Sequence, residues 1–318
     1  MNQLIKRTSL KKQPKWIQEG VLLGNKFHYI KQKPLIHNSI NLSYLMLINV
    51  GLFILAYSGK YIAPILYIPL AIFGFGSIFF MIGVFVIHES SHNMFIVLQN
   101  RKMATKINQI LGKLFAFSFG IDYINHWEIG HTIHHLNPIE SNDPQNCPET
   151  IYTGINLLKY AIKIFLLPGY IHIYRRHDNC IAAKEYTMNW RLLMSLIISW
   201  TLAIVLLYFT CGWAVAVSFF LGVNIMSILN QFKIAMEHSG EIGKRENYFL
   251  RSCSYFFPFE SLFMPFNVYL HFEHHLNYCV PWYLLPKYHQ ELLKIVPENL
   301  QKDIYKYNQE VLNQICNY

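Results

Sequence analysis

Charge is what this chain has least of. Charged residues fill 14% of its 318 positions against 53% hydrophobic, a balance that argues against a soluble globule. The six cysteines (Cys147, Cys180, Cys211, Cys253, Cys279 and Cys316) are scattered, with no CxxC among them. Neither a disulfide framework nor a thiolate metal site is therefore expected. The opening stretch MNQLIKRTSLKKQPKW is polar and basic, without the apolar run of a cleavable signal peptide. No internal repeat, low-complexity tract or linker marks a second domain, and residues 1–318 read as one. The net charge is +9; in a membrane protein such an excess follows from topology, so no nucleic-acid partner is expected.

Long apolar runs are abundant instead. A crossing helix needs about 20 mostly apolar residues, because the hydrocarbon core is about 30 Å thick and each residue rises about 1.5 Å. Residues 40–57, 61–87, 192–209 and 213–229 qualify. The first pair is joined by Ser58-Gly59-Lys60 and the second by Thr210-Cys211-Gly212, so each pair predicts a helical hairpin. The second span is long enough to project beyond the bilayer. Two further stretches, 102–121 and 154–171, are apolar but punctuated by lysines. They read as helices lying in the interface.

Lysine and arginine placement tests this plan. With four spans, the N-terminus, the 88–191 connection and everything after residue 230 share one side. Of the 27 Lys and Arg residues only Lys60 lies opposite, so the crowded side is expected to be cytoplasmic. The expected fold is an all-α, multi-pass integral membrane protein with a histidine-rich cytoplasmic cap and both termini on that side.

The histidines, fifteen in all, gather in that cap. HESSH supplies His88 and His92, HTIHH supplies His131, His134 and His135, and HFEHH supplies His271, His274 and His275. By chance an HxxxH arises about 0.7 times in such a chain and an HxxHH about 0.03 times. The two HxxHH clusters thus carry the argument. On a helix, positions i, i+3 and i+4 share a face, so each cluster can aim its imidazoles at one point. Eight imidazoles exceed what one tetrahedral zinc uses, whereas two metals would take about four each. Imidazole suits iron, copper, zinc and nickel alike, so ligand type does not name the metal.

HxxxH followed by two HxxHH clusters, each tied to paired spans, resembles the membrane fatty acid desaturase family and its hydroxylase relatives. FNVYLHFEHHLNYCVPWYLLPKYHQEL (266–292) looks like that family's C-terminal signature, and NHWEIGHTIHHLNPIESNDP resembles its second box. The likeness runs over roughly residues 40–295. It implies two iron ions, dioxygen as co-substrate and a lipid or acyl substrate. Because no heme-binding HPGG is present, electrons are expected from a separate donor of ferredoxin or cytochrome b5 type. The family often places another ligand histidine after the fourth span, preceded by glutamate; KIAMEHSGE puts His238 there. In some relatives an asparagine four residues earlier supports the iron, and here that position is Ile234. His271 stands where front-end desaturases carry glutamine.

Other candidates have plainer readings. His126 lies five residues before His131, on a different face of a continuous helix. His289 is expected to pack or cap, and His28, His37, His172 and His177 to have no metal role. Glu89, Glu237 and Glu273 adjoin ligand histidines, so each is either an orienting carboxylate or a solvated interfacial acid. Phe73, Phe75, Phe79, Phe80 and Phe85 of the second span could line an acyl channel, though lipid and neighbouring helices are the plainer partners. Three functions compete. The first is a di-iron enzyme that desaturates an acyl chain, with a lipid or carotenoid hydroxylase or ketolase using the same ligands as its variant. The second is an intramembrane zinc protease with Glu89 as base, which leaves most clustered histidines idle. The third is a metal transporter, which needs more polar mid-span residues than Asn49 and Asn224.

Overall fold

The computed structural model describes residues 10–119, 121–140, 143, 190–238 and 240–316, with isolated positions between 154 and 162. Among the described residues four helices are long and apolar enough to cross a membrane: α2 (Pro34–Ser58), α3 (Pro64–Ser91), α6 (Trp190–Cys211) and α7 (Trp213–His238). Pro34 and Pro64 open α2 and α3, where the missing N–H of proline costs nothing and its fixed φ suits the first turn. Between α6 and α7 the chain reverses at Gly212, whose φ of +99° is open to glycine.

α2 and α6 outrun at both ends the apolar windows read from sequence, while α7 and α3, the latter starting at Pro64 rather than residue 61, outrun theirs at the far end. α2 begins at Pro34 rather than residue 40, and α7 runs to His238 rather than 229. Helix continues on backbone hydrogen bonds wherever polar side chains find partners, while a hydropathy window stops at the first polar cluster. Asn38, in the turn of α2 that precedes the window, is an instance: its side chain donates to the Val97 carbonyl at 2.9 Å.

α3 and α7 form the centre and α2 and α6 the flanks, the latter pair being almost wholly exposed along their apolar windows. Lipid tails are as apolar as leucine, so helices associate in a bilayer through close packing of small residues. α3 and α7 do this at Gly76 and Gly222. A Cβ built on Gly76 would stand 2.8 Å from the Gly222 carbonyl oxygen, and one on Gly222 would stand 2.6 Å from the Phe75 Cβ. Phe75 and Phe79 pack edge-on to Phe219 at 5.6 and 5.1 Å, and Phe79 meets Trp200 of α6 at 5.4 Å. The phenylalanines of the second span therefore mostly meet neighbouring helices; Phe73 remains half exposed.

The connection after α3 holds α4 (Arg101–Ser118) and α5 (Gly130–Leu136). Asn100 caps α4 by accepting from the Met103 N–H at 3.1 Å. The second stretch expected to lie in the interface, 154–171, falls largely outside the described residues. The C-terminal region folds as β1 (Ser254–Phe256), α8 (His271–Leu276), α9 (Leu285–Leu292), α10 (Glu298–Ile304), β2 (Tyr305–Tyr307) and α11 (Gln309–Cys316). β1 and β2 pair in parallel, with Tyr255 opposite Lys306.

The N-terminal helix α1 (Lys15–Gly24) closes this cap. Ile17 and Leu23 join Leu270, Phe272, Leu276, Tyr288 and Leu292 in a buried cluster. The Tyr288 hydroxyl donates to the Gly20 carbonyl at 2.9 Å, and Asn277 donates to the Val21 carbonyl at 3.1 Å. α1 thereby packs against the helix that carries HFEHH.

Candidate metal centre

Each histidine box sits where an apolar helix ends or restarts. Before HESSH, α3 widens into a π turn at Gly83–Ile87, and a second π turn, Tyr123–Ile129, precedes HTIHH. A π turn inserts a residue into the helix and rotates the residues beyond it about the axis, a device frequent at functional sites. His238 is the last residue of α7, and α8 begins at His271 just after Phe266 and Asn267, both left-handed.

The structure brings all nine candidate histidines together, in two groups. His88, His92, His131, His135 and His274 form one; His134, His238, His271 and His275 form the other. Within each group the potential ligand nitrogens lie within 4.8 Å of one another. The division follows helix geometry. α5 gives its i, i+4 pair, His131 and His135, to the first group and His134 to the second. α8 does the reverse, giving His271 and His275 to the second group and His274 to the first. Adjacent HxxHH residues thus serve both groups, and the two helices face each other with His135 and His275 rings 4.3 Å apart.

Hydrogen bonds at the far side of the rings fix which nitrogen points inward. His238 Nδ1–H donates to the Arg251 carbonyl at 2.7 Å, and His271 Nδ1 lies 3.1 Å from Glu237 Oε1. His134 Nδ1–H donates to Asp143 Oδ2 at 2.7 Å, and His88 Nδ1–H to Glu89 Oε1 at 3.2 Å. Such partners orient a metal-bound imidazole and raise its basicity.

This arrangement tests whether a metal fits. With His238 Nδ1 donating to a carbonyl and His271 Nδ1 beside the Glu237 carboxylate, the two rings turn their Nε2 atoms toward each other at 2.9 Å. Burial first, then neighbouring imidazoles and the Lys233 ammonium, hold His271 well below the ordinary histidine range, so an imidazolium does not relieve that approach. A cation between the lone pairs does. Two nitrogens about 2.1 Å from one ion and at right angles stand about 3.0 Å apart. His88 to His274 at 3.0 Å and His131 to His135 at 3.1 Å, Nε2 to Nε2, repeat the spacing in the first group. Nε2 of His92 and of His275 is buried without a hydrogen-bond partner. Burial and facing imidazoles likewise push His92, His135, His274 and His275 well below the usual range, the neutral form a metal needs.

A sequence model described as fatty acid desaturase matches residues 62–307, from the turn before α3 to the end of β2. The chain belongs to the fatty acid desaturase family. Comparison with curated proteins gave no match. Membership in the fatty acid desaturase family supports an oxidoreductase with a lipid acyl substrate. Together with the four apolar helices it supports a membrane protein, and with the histidine groups it supports iron.

The other candidates sort by contact. His126 belongs to neither group. His28 accepts from the Ile30 N–H, and His37 is bonded to the Tyr283 hydroxyl at 2.8 Å and the Met94 carbonyl at 2.5 Å. His172 and His177 lie outside the described residues. Of the three flagged carboxylates, Glu89 and Glu237 meet clustered histidines. Glu273 instead binds His289 Nδ1 at 2.5 Å and the Ser254 hydroxyl, tying α8 to α9 and β1. His289, expected to pack or cap, is thus hydrogen-bonded to a buried carboxylate. Sequence reasoning missed Asp143 as a partner of His134, although the Asp-Pro trailing the second box was its signal. It missed the Arg251 carbonyl too, which has no side-chain signature at all.

Proposed function

We propose that this chain is an oxygen-dependent di-iron oxidoreductase that introduces a double bond into the long acyl chain of a membrane lipid. His88, His92, His131, His135 and His274 would hold one iron, and His134, His238, His271 and His275 the other. The observation that carries the reading is the convergence of nine buried or nearly buried imidazoles into two adjacent groups at the ends of apolar helices. Family membership supports the chemistry. Bound there, the irons with dioxygen and donated electrons would supply the oxidising power to take hydrogen from an unactivated C–H bond.

The remaining work falls to the protein. Glu89, Asp143 and the Arg251 carbonyl hold the Nδ1 protons of His88, His134 and His238 and so aim their Nε2 atoms inward, while the Glu237 carboxylate lies beside His271 Nδ1. Burial of the groups excludes water from the reacting carbon. The hydrogens leaving the chain, with electrons and protons from a ferredoxin-type or cytochrome b5-type donor, reduce dioxygen to water. In this reading α2–α3 and α6–α7 are membrane hairpins, with the histidine cap and both termini cytoplasmic, as the one-sided Lys and Arg distribution supports. Glu89 orients His88 rather than serving as a protease base, because its Oε1 already takes the His88 proton.

Expression in a host lacking the activity, followed by mass spectrometry of its lipids, tests the proposal. New double bonds are expected, and His274→Ala abolishes them. New hydroxyl or keto groups instead of double bonds make the chain a hydroxylase or ketolase on the same ligand set. Unchanged lipids alongside folded, iron-loaded protein contradict both.

A further inference from the structure

Between β1 and the helix carrying HFEHH, the chain makes an apolar turn that the metal chemistry does not use. Residues 257–264 read FPFESLFM. Met264 is buried in the same cluster as Ala71, Phe75 and Val223 of α3 and α7. The Phe263 ring sits edge-on to Phe73 of α3, 6.4 Å between centroids. Phe259 and Leu262 have no such cover and are 75% and 65% exposed.

Phe73 is itself half exposed on a crossing-length helix, and about 22 Å of helix separates it from His88. The turn therefore lies beside α3 at a level where such a helix meets lipid, well away from the histidines. Its backbone suits that solvent. The N–H groups of Glu260, Leu262, Phe263 and Met264 are bonded within the turn, to the carbonyls of Phe257, Phe259 and Glu260, at 2.6–3.3 Å. Pro258 has no N–H to satisfy. Residues Glu260–Phe263 form one helical turn, the backbone form that satisfies its polar groups internally beside lipid.

The rim has the composition of a membrane interface. Leu312 of α11 is exposed next to Val311, which is buried in the cluster that holds Met264. Tyr307, half exposed, stacks on Phe256 at 5.0 Å and comes directly after Lys306 on β2. Aromatic and basic residues at the edge of an apolar face are what a bilayer surface selects. An exposed apolar patch of this kind marks an interaction site, and its continuity with the exposed face of α3 identifies the occupant as acyl tails rather than another protein.

The geometry points to a lipid-inserted wedge: residues 257–264, flanked by Tyr307 and Leu312, enter the bilayer beside α3. α8, starting at His271, comes next in the chain. The wedge thus fastens the third histidine box to the bilayer. The inference rests on α3 crossing a membrane and is independent of which metal binds or which product forms.

The test places the photoreactive p-benzoylphenylalanine singly at Phe259 and at Leu262 in the full chain, reconstituted in phosphatidylcholine–phosphatidylglycerol vesicles. Phe53, 68% exposed on α2, is the lipid control. Lys294, whose side chain is 69% exposed after α9, is the aqueous control. After irradiation, mass spectrometry is expected to find lipid adducts at 259 and 262 as at 53, about tenfold above 294. Lipid adducts at 53 with none at 259 or 262, or cross-links from 259 and 262 to a second copy of the chain, overturn the wedge. Failure at 53 as well overturns the membrane reading of α2, and with it the wedge, while leaving the metal proposal standing.

Discussion

Asp143 holds His134 from the side away from the other imidazoles: its Oδ2 accepts from His134 Nδ1 at 2.7 Å and from the Ile139 N–H at 3.0 Å. The carboxylate is fully buried, so one oxygen both orients a candidate ligand and fixes the chain just beyond α5. Asp143→Ala is expected to weaken metal retention by about 10–100-fold, the usual cost of losing such a partner. Chelator competition measures it, with circular dichroism showing unchanged helix. Retention equal to wild type would remove Asp143 from the site.

Lys233 and Glu237 form a largely buried ion pair at 2.7 Å, one turn apart on α7, and Glu237 also holds His271. Removing one partner leaves an uncompensated buried charge, a loss of about 3–5 kcal/mol. Lys233→Met is therefore expected to lower the melting temperature in detergent sharply. Adding Glu237→Gln to it should recover part of that loss while metal retention falls further. Equal melting of the single and double variants would contradict the coupling.

The α3–α7 crossing depends on the absence of side chains at Gly76 and Gly222. Gly222→Leu forces the two helices apart and is expected to cost about 1–3 kcal/mol, as overpacking does. Gly51→Leu on α2, where an added Cβ meets nothing within 4 Å, is expected to be neutral. The same thermal assay separates them.

Acid should weaken the metal-free protein in a defined window. His92, His135, His271, His274 and His275 are all lowered from the ordinary value of 6.5 by burial. The unfolded chain then binds more protons than the folded one just below that value, so stability falls as pH drops. The loss starts near 6.5 and grows until the lowered folded values are reached. Melting of metal-free protein at pH 7.5 and 5.5 checks it, with the lower temperature expected at 5.5; a chain carrying alanine at His92, His135 and His275 should show a smaller difference.

The histidines were the most legible part of this molecule. HxxHH spacing puts its imidazoles on one side of a helix, but the division of each cluster between two groups, His134 from His131 and His135, came only with the facing of α5 and α8. His238 was readable only through its family resemblance, since one histidine at a helix end has no pattern of its own. The helices were legible as apolar runs, but their ends were not. Lys233 and Glu237 stop a hydropathy window, yet they pair with each other and let α7 continue to His238. The π turns before both boxes leave no mark on composition. Contacts between distant segments were also hidden: α1 against Leu276 and Asn277, and His289 against Glu273, depend on the folded chain rather than on any spacing.

The central claim is that the nine histidines form two adjacent metal sites that hold iron. Elemental analysis of protein purified from iron-supplied cells, with His134→Ala and His131→Ala variants beside it, tests this most directly. The account predicts two irons per chain in the wild type and a loss of one or both in each variant. A single zinc per chain, kept by both variants and accompanied by iron-free activity, would contradict it.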